Sequence, residues 1–268
     1  MATAGERTIE EFGEQWTRFV DNDGYYGSLS LFEDLVSPLL RSEDFHGKRV
    51  ADLGSGTGRI VNMLLRAGAA HVFAVEPSAA VRALRNNVTW AIDRVTVVED
   101  TADRLPAALA LDFVVSFGVL HHIPDPAPAM RAAYDALRPG GRMLAWLYGH
   151  EGNELYLSFV RPLRAVTRRI PDEWLVRLSR LVQLPLNAYI AACRIAPLPM
   201  RTYMSAHLGK LAPEARVLTV YDQLNPTYAR YYKEAEAREL FMSAGFEQVR
   251  LHHRHGYSWS VVGTKVDR

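Results

Sequence analysis

The sequence has one cysteine, Cys193, among its 268 residues. An intrachain disulfide is therefore excluded, and so is a metal site built from several thiolates. Charge of one sign is also missing, with 31 Lys and Arg against 30 Asp and Glu and a formal net charge of +1. Proteins that bind DNA or RNA usually carry a basic footprint, so nucleic acid is not an expected partner. No run of 18 or more apolar residues could span a bilayer, and no basic start leads into an apolar N-terminal core. A soluble, cytoplasmic protein is expected. Internal repeats, low-complexity tracts and a metal-binding triad are absent, so no metal is expected. What remains is a chain 49% hydrophobic, enough for a full α/β core with an appended subdomain.

The most informative stretch is Val50-Ala51-Asp52-Leu53-Gly54-Ser55-Gly56-Thr57-Gly58-Arg59-Ile60. An apolar run ending in an acid reads as a buried parallel strand, and glycines at alternate positions let backbone lie against a ligand. Helical periodicity resumes at Arg59, with Ile60, Met63, Leu64 and Ala67 on one face. A dinucleotide fingerprint needs Gly-x-Gly-x-x-Gly, with the pyrophosphate on the helix N-terminus. Here the third glycine comes one residue early and an acid precedes the first. A carboxylate, Glu76, ends the next strand, His71–Glu76, 22 residues beyond Gly54. That is where ribose hydroxyls are accepted, and Pro77 and Ser78 after it read as the start of a helix reaching about Trp90.

The order acid-x-Gly-x-Gly-x-Gly resembles motif I of the class I S-adenosylmethionine-dependent methyltransferases. Three later landmarks are similar to that family in order and spacing. Residues 94–98 read as a third strand and lead into Asp100-Thr101-Ala102-Asp103-Arg104-Leu105-Pro106. The family holds adenine with an acid at the position that Thr101 occupies, so either Asp100 reaches it or Thr101 and backbone do. Residues 111–118 read as an inner parallel strand that brings Phe117 and Gly118 to the ligand-binding end and runs into Leu120-His121-His122-Ile123. This Leu-His-His-Ile sequence resembles the small-molecule, ubiquinone/menaquinone-biosynthesis branch. One histidine of the pair either acts on substrate or cofactor, or both simply hold neighbouring loops. Leu137-Arg138-Pro139-Gly140-Gly141 then stops a helix from Ala127 and opens a fifth strand, 142–148.

The resemblance implies S-adenosylmethionine as cofactor and S-adenosylhomocysteine as product, in a Rossmann-like seven-stranded sheet whose last strand is antiparallel. Asp52, Gly54, Ser55, Gly56, Thr57, Gly58, Glu76, Pro77, Asp100, Thr101, Ala102, Phe117 and Gly118 form the expected cofactor set. Asp52 either orders the loop or faces the cationic end of the ligand. In such enzymes N-terminal helices cover the cofactor, which brings in Trp16, Tyr25 and Tyr26, unless Trp16 is core and the tyrosines surface loop. Amphipathic helices are expected over 6–20 and 28–41, with a turn-rich loop between them. Near the other end, a helix over 234–244 and strands over 246–251 and 258–263 complete the fold.

Three regions follow: an N-terminal helical cap, 1–45; the methyltransferase core, 46–149 and 231–268; and a helical insertion, 150–230, expected as a substrate lid. Residues 151–210 hold nine Lys and Arg (including Arg168) against four acids, a local charge of +5. A solvated charged face, a pocket for an anionic or amphipathic small-molecule acceptor, a membrane-surface contact and a homodimer face are the readings of that excess. Methyl transfer to oxygen is the first expectation and to carbon the second. His121, His122, Tyr148 and Asp222 are the candidate bases. The rival from another class is a catalytically silent, partner-binding subunit, against which the intact glycines and Glu76 argue.

Overall fold

The computed structural model describes residues 3–107, 109–167 and 169–267. Seven strands form one sheet: β1 (Arg49–Leu53), β2 (His71–Val75), β3 (Val95–Val98), β4 (Leu111–Phe117), β5 (Leu137–Tyr148), β6 (Glu247–Arg254) and β7 (Ser258–Thr264). Their order is β3-β2-β1-β4-β5-β7-β6, with β7 antiparallel to both neighbours. The expected seven-stranded sheet with an antiparallel last strand is what forms. β1 and β4 lie side by side at the point where strand order reverses, so a crevice opens beyond their carboxyl ends.

Alternation along β4 shows why the sheet is covered on both faces. Phe113, Val115 and Phe117 pack with α2 (Leu29–Val36) and α3 (Arg59–Arg66), through Phe32, Val36, Met63 and Leu64. Val114 faces the other way, with Ala51, Leu53 and Met143, against α5 (Ala127–Ala136) and α10 (Glu234–Met242). The small side chains of Ala129, Ala133 and Ala136 let α5 lie close to the sheet.

Several boundaries differ from expectation. α1 (Ala4–Arg18) starts at a capping box in which Thr3 accepts from the Glu6 N–H and Glu6 accepts from the Thr3 N–H. α2 ends at Val36, before Ser37-Pro38, because the residue preceding a proline is pushed out of helical geometry. Pro77 and Ser78 do not open the next helix: α4 runs Val81–Asn87, and the Ser78 hydroxyl instead accepts from the Ala80 N–H. β5 begins at Leu137, ahead of the Pro-Gly-Gly turn.

The insertion is helical, as expected: α6 (Glu154–Thr167), α7 (Asp172–Ile195), α8 (Arg201–Ala206) and α9 (Pro213–Leu224). Pro185 lies inside α7 and does not divide it. Leu175 is buried, whereas Trp174 and Leu181 point to solvent. Arg168 lies outside the described residues. No helix among the described residues is long and apolar enough to cross a membrane.

Candidate active site

The glycine turn after β1 is built against its neighbours. Gly54 has φ +73°, and a Cβ there would fall inside the methyl groups of Val119 from the far side of the crevice. Gly56, at φ +52°, would carry its Cβ to 3.3 Å from the Trp16 indole nitrogen, so α1 closes directly over the turn. Gly54→Ala is expected to cost about 1–3 kcal/mol of stability through left-handed backbone and overlap with Val119. Urea unfolding checks it; an unchanged midpoint would mean that the loop moves aside freely.

Glu76 holds the turn from the next strand. Its Oε2 accepts from the Gly56 N–H at 2.7 Å and its Oε1 from the Ser78 N–H at 3.0 Å. Thr57 ties the turn to the N-terminal cap: its hydroxyl donates to Asn22 Oδ1 at 2.8 Å, and Asn22 Nδ2 donates to the Thr57 carbonyl at 3.1 Å. Ser55 donates to the Asp52 carbonyl.

Asp52 is the unusual member. Its carboxylate is buried and both oxygens lack a hydrogen-bond partner. Burial pushes this carboxyl up to about 7, and the nearby Ser55 hydroxyl and Arg59 offset that only in part. An orphaned buried acid beside a glycine cradle fits a ligand with a cationic end. The pH consequence has a definite sign. The folded chain keeps a proton that the unfolded chain loses near pH 4, so ligand-free stability falls as pH rises from about 4 to about 7. Asp52→Asn is expected to remove that slope, matching wild type at pH 4 and exceeding it at pH 8 by up to about 2–4 kcal/mol. Thermal unfolding at the two pH values checks this, and equal stability at pH 8 would overturn it.

Beyond the turn lies a cavity of about 830 Å³, walled by the sheet, α1 and the insertion. Of the expected cofactor residues, Trp16, Tyr26, Gly54, Glu76, Pro77, Thr101, Ala102, Phe117 and Gly118 line it. Asp52, Ser55, Gly56, Thr57 and Gly58 stand behind them and shape the turn. Asp100 is off the cavity wall; its carboxylate accepts from the Thr101 N–H at 2.8 Å. Tyr25 is also off the wall, under Lys210. Arg59 lines the cavity and stacks on Tyr26 at 4.4 Å. Its position directly after Gly58 was the available signal.

The histidine pair divides. His121 is fully buried between Tyr148, at 3.8 Å between ring centroids, and Trp146; both its ring nitrogens lack a partner, and it is not on the cavity wall. Burial holds it well below the ordinary histidine range and therefore neutral. His122 lines the cavity. Its Nδ1 lies 2.8 Å from the Tyr228 carbonyl, which can only accept, so Nδ1 carries the proton and Nε2 keeps a lone pair. Burial lowers its pKa, with Asp222 pulling the other way.

Tyr148 and Asp222 meet across 74 residues of sequence. The Tyr148 hydroxyl donates to Asp222 Oδ2 at 3.0 Å and accepts from Gln223 Nε2 at 3.0 Å. Burial and the Asp222 charge push Tyr148 well above its ordinary value, so it stays protonated as a donor. Asp222 Oδ1 accepts from Gln15 of α1 at 3.3 Å. The chain of bonds continues outward: Tyr156 donates to Gln223 Oε1 at 2.7 Å, and buried Arg164 donates to the Tyr231 hydroxyl and the Gln223 carbonyl. Gln15 and Tyr156 belong to no sequence motif, Arg164 counts only toward the basic excess of the insertion, and Gln223 lies in a polar, tyrosine-rich stretch, 221–232, whose groups could orient an acceptor. Nothing local marks a polar residue on an amphipathic helix as an interior one.

A family model described as a methyltransferase domain matches residues 28–180, more than half of the chain. The chain belongs to the methyltransferase family. It is a class I S-adenosylmethionine-dependent enzyme. The ubiquinone biosynthesis O-methyltransferase of Sodalis glossinidius is 32% identical over 218 residues, spanning 75% of this chain and 86% of that protein. The protein of the same name from Neisseria meningitidis serogroup C is 34% identical, over 51% of this chain and 59% of its own length. Among solved structures, the magnesium protoporphyrin IX methyltransferase of Synechocystis PCC 6803 with bound S-adenosylhomocysteine superposes with a TM-score of 0.54. That match covers 94% of this chain and 93% of the other at 16% identity, a likeness of fold.

Proposed function

We propose that this methyltransferase methylates a hydroxyl oxygen of a small, largely apolar acceptor, with His122 as the base. S-adenosylmethionine, when bound, supplies an electrophilic methyl group. The residues suited to hold it are the Gly54–Gly58 turn, Glu76 for the ribose hydroxyls, Thr101 and Ala102 on the adenine side, and Asp52 behind the turn. Trp16 closes over them and excludes water.

The observation that carries the oxygen reading is the fixed tautomer of His122. With Nδ1 committed to the Tyr228 carbonyl, Nε2 is free to take a proton at a site beside Asp222. A hydroxyl is a weak nucleophile until it loses its proton, whereas a neutral amine attacks through its lone pair first; a carbon acid would use the same base. Tyr148, Asp222 and Gln223 form one polar wall of the cavity, while Phe12, Phe159, Val160, Leu163 and Leu186 offer an apolar one. The names of the two relatives point the same way. Residues 150–230 act as the lid in this reading, joined to α1 by Gln15–Asp222 and by Glu11–Thr227.

Transfer of a labelled methyl group to a panel of phenols, alkyl alcohols and carbon acids tests it. Phenolic or alcoholic products are expected; label appearing only on carbon would overturn the oxygen reading and leave the fold and cofactor untouched.

A further inference from the structure

The insertion turns apolar side chains outward. On α6, Leu155, Phe159, Leu163 and Val166 recur at helical spacing on one face and are 48–68% exposed. On α7, Trp174, Leu181, Leu184 and Ile195 do the same along a helix of about 36 Å. Leu184 is 73% and Ile195 89% exposed. A solvated charged face would reverse this, placing arginines at the centre and leucines beneath. Here Arg161, Arg177, Arg180 and Arg194 are exposed on the same two helices, with Arg177 over the Trp174 ring at 4.8 Å.

We propose that the outer face of α6 and α7 docks the enzyme on a bilayer surface bearing anionic phospholipid headgroups. The two components of interfacial binding are both present: an apolar face for the acyl boundary, and basic side chains for the headgroups. The local charge of +5 over residues 151–210 complements an anionic surface and opposes a second copy of the same face. The helices are amphipathic and interrupted by polar residues, so they lie on the membrane and do not cross it.

The docking face is also continuous with the cavity. Phe159 and Leu163 belong to the exposed stripe of α6 and line the cavity as well, so its mouth opens on the side that meets lipid. Given the acceptor reading above, on which this clause rests, an amphipathic acceptor dissolved in the bilayer enters there without crossing water.

Flotation of the full chain with vesicles separates the possibilities. Binding to phosphatidylcholine vesicles containing phosphatidylglycerol is expected to exceed binding to phosphatidylcholine alone by about tenfold or more, and to fall at high salt. L181D/L184D and R177E/R180E are each expected to lose about tenfold or more, while S-adenosylhomocysteine binding by calorimetry shows that both fold. Equal binding by wild type and both variants overturns the proposal, as does no binding to anionic vesicles. A dimer that L181D/L184D dissolves, without vesicle binding, assigns the face to a second copy and overturns it too. Vesicle binding without methylation of any hydroxyl leaves docking intact and removes only the acceptor reading.

Discussion

His122→Asn is expected to lower kcat by about 10²- to 10⁴-fold, the range for loss of a positioned base, with S-adenosylhomocysteine affinity changed by no more than about twofold. The substituted amide can still donate to the Tyr228 carbonyl, so the loop stays in place while the lone pair of Nε2 is lost. The wild-type pH profile should carry the matching signature. Because burial lowers the His122 pKa below the ordinary 6.5, the base is unprotonated at neutral pH. Activity is then lost only as pH falls through that lowered value, and the acid limb of kcat lies below pH 6.5. An acid limb that survives in the variant, or a kcat within about threefold of wild type, would assign the proton to another group. Asp222 is the next candidate, since its carboxylate accepts from Tyr148 and Gln15 at the same wall. Tyr148 is a poor one, because its raised pKa keeps the phenol protonated.

Glu76→Ala should act on the cofactor instead of the chemistry. One carboxylate accepts from the backbone of the glycine turn and of the following loop, and faces the cavity where the ribose would lie. Removing it leaves the Gly56 and Ser78 N–H groups without that acceptor and takes away a ribose partner. With charge-assisted bonds worth about 1.5–3 kcal/mol each, affinity for S-adenosylhomocysteine is expected to fall about 100-fold or more. Calorimetry reads this directly. Glu76→Gln separates the roles, because it keeps the shape and one acceptor oxygen while losing the charge; its loss should be smaller than that of the alanine variant. If both variants bind like wild type, Glu76 serves the fold alone.

The two predictions differ in how much of their basis was legible in the chain. Glu76 could be placed from sequence because its position depends on local pattern alone: a strand of fixed rise, a turn of fixed length, and a second parallel strand ending level with the first. β1 and β2 pair from Arg49–His71 to Leu53–Val75, which brings Glu76 level with the turn that begins at Gly54. His122 could be placed at the end of β4 by the same reasoning, but not distinguished from His121. Their difference rests on Tyr228, 106 residues away, and on the Tyr148 ring that buries His121.

The insertion shows the same limit. Its helices and its basic excess are composition and period, both readable in sequence. Which face of α7 turns inward is not, because an amphipathic pattern interrupted by arginines can be oriented either way until α9 packs against it. Burial of Leu175 and exposure of Trp174, its neighbour, record that outcome.

By itself, then, the sequence determined the strand–glycine turn–helix with its acid at each strand end, the order of the landmarks through Tyr148, and the sheet that these imply. Such features follow from backbone geometry over a few residues. Tertiary structure alone decided that Asp52 is an orphaned acid under the turn, that His122 keeps a free Nε2, that Tyr148 holds its proton against Asp222, and that α6 and α7 present leucines to the outside. Each of these is a matter of desolvation or of a partner far away in the chain, and a protonation state is set by the charges and burial that packing brings around a group.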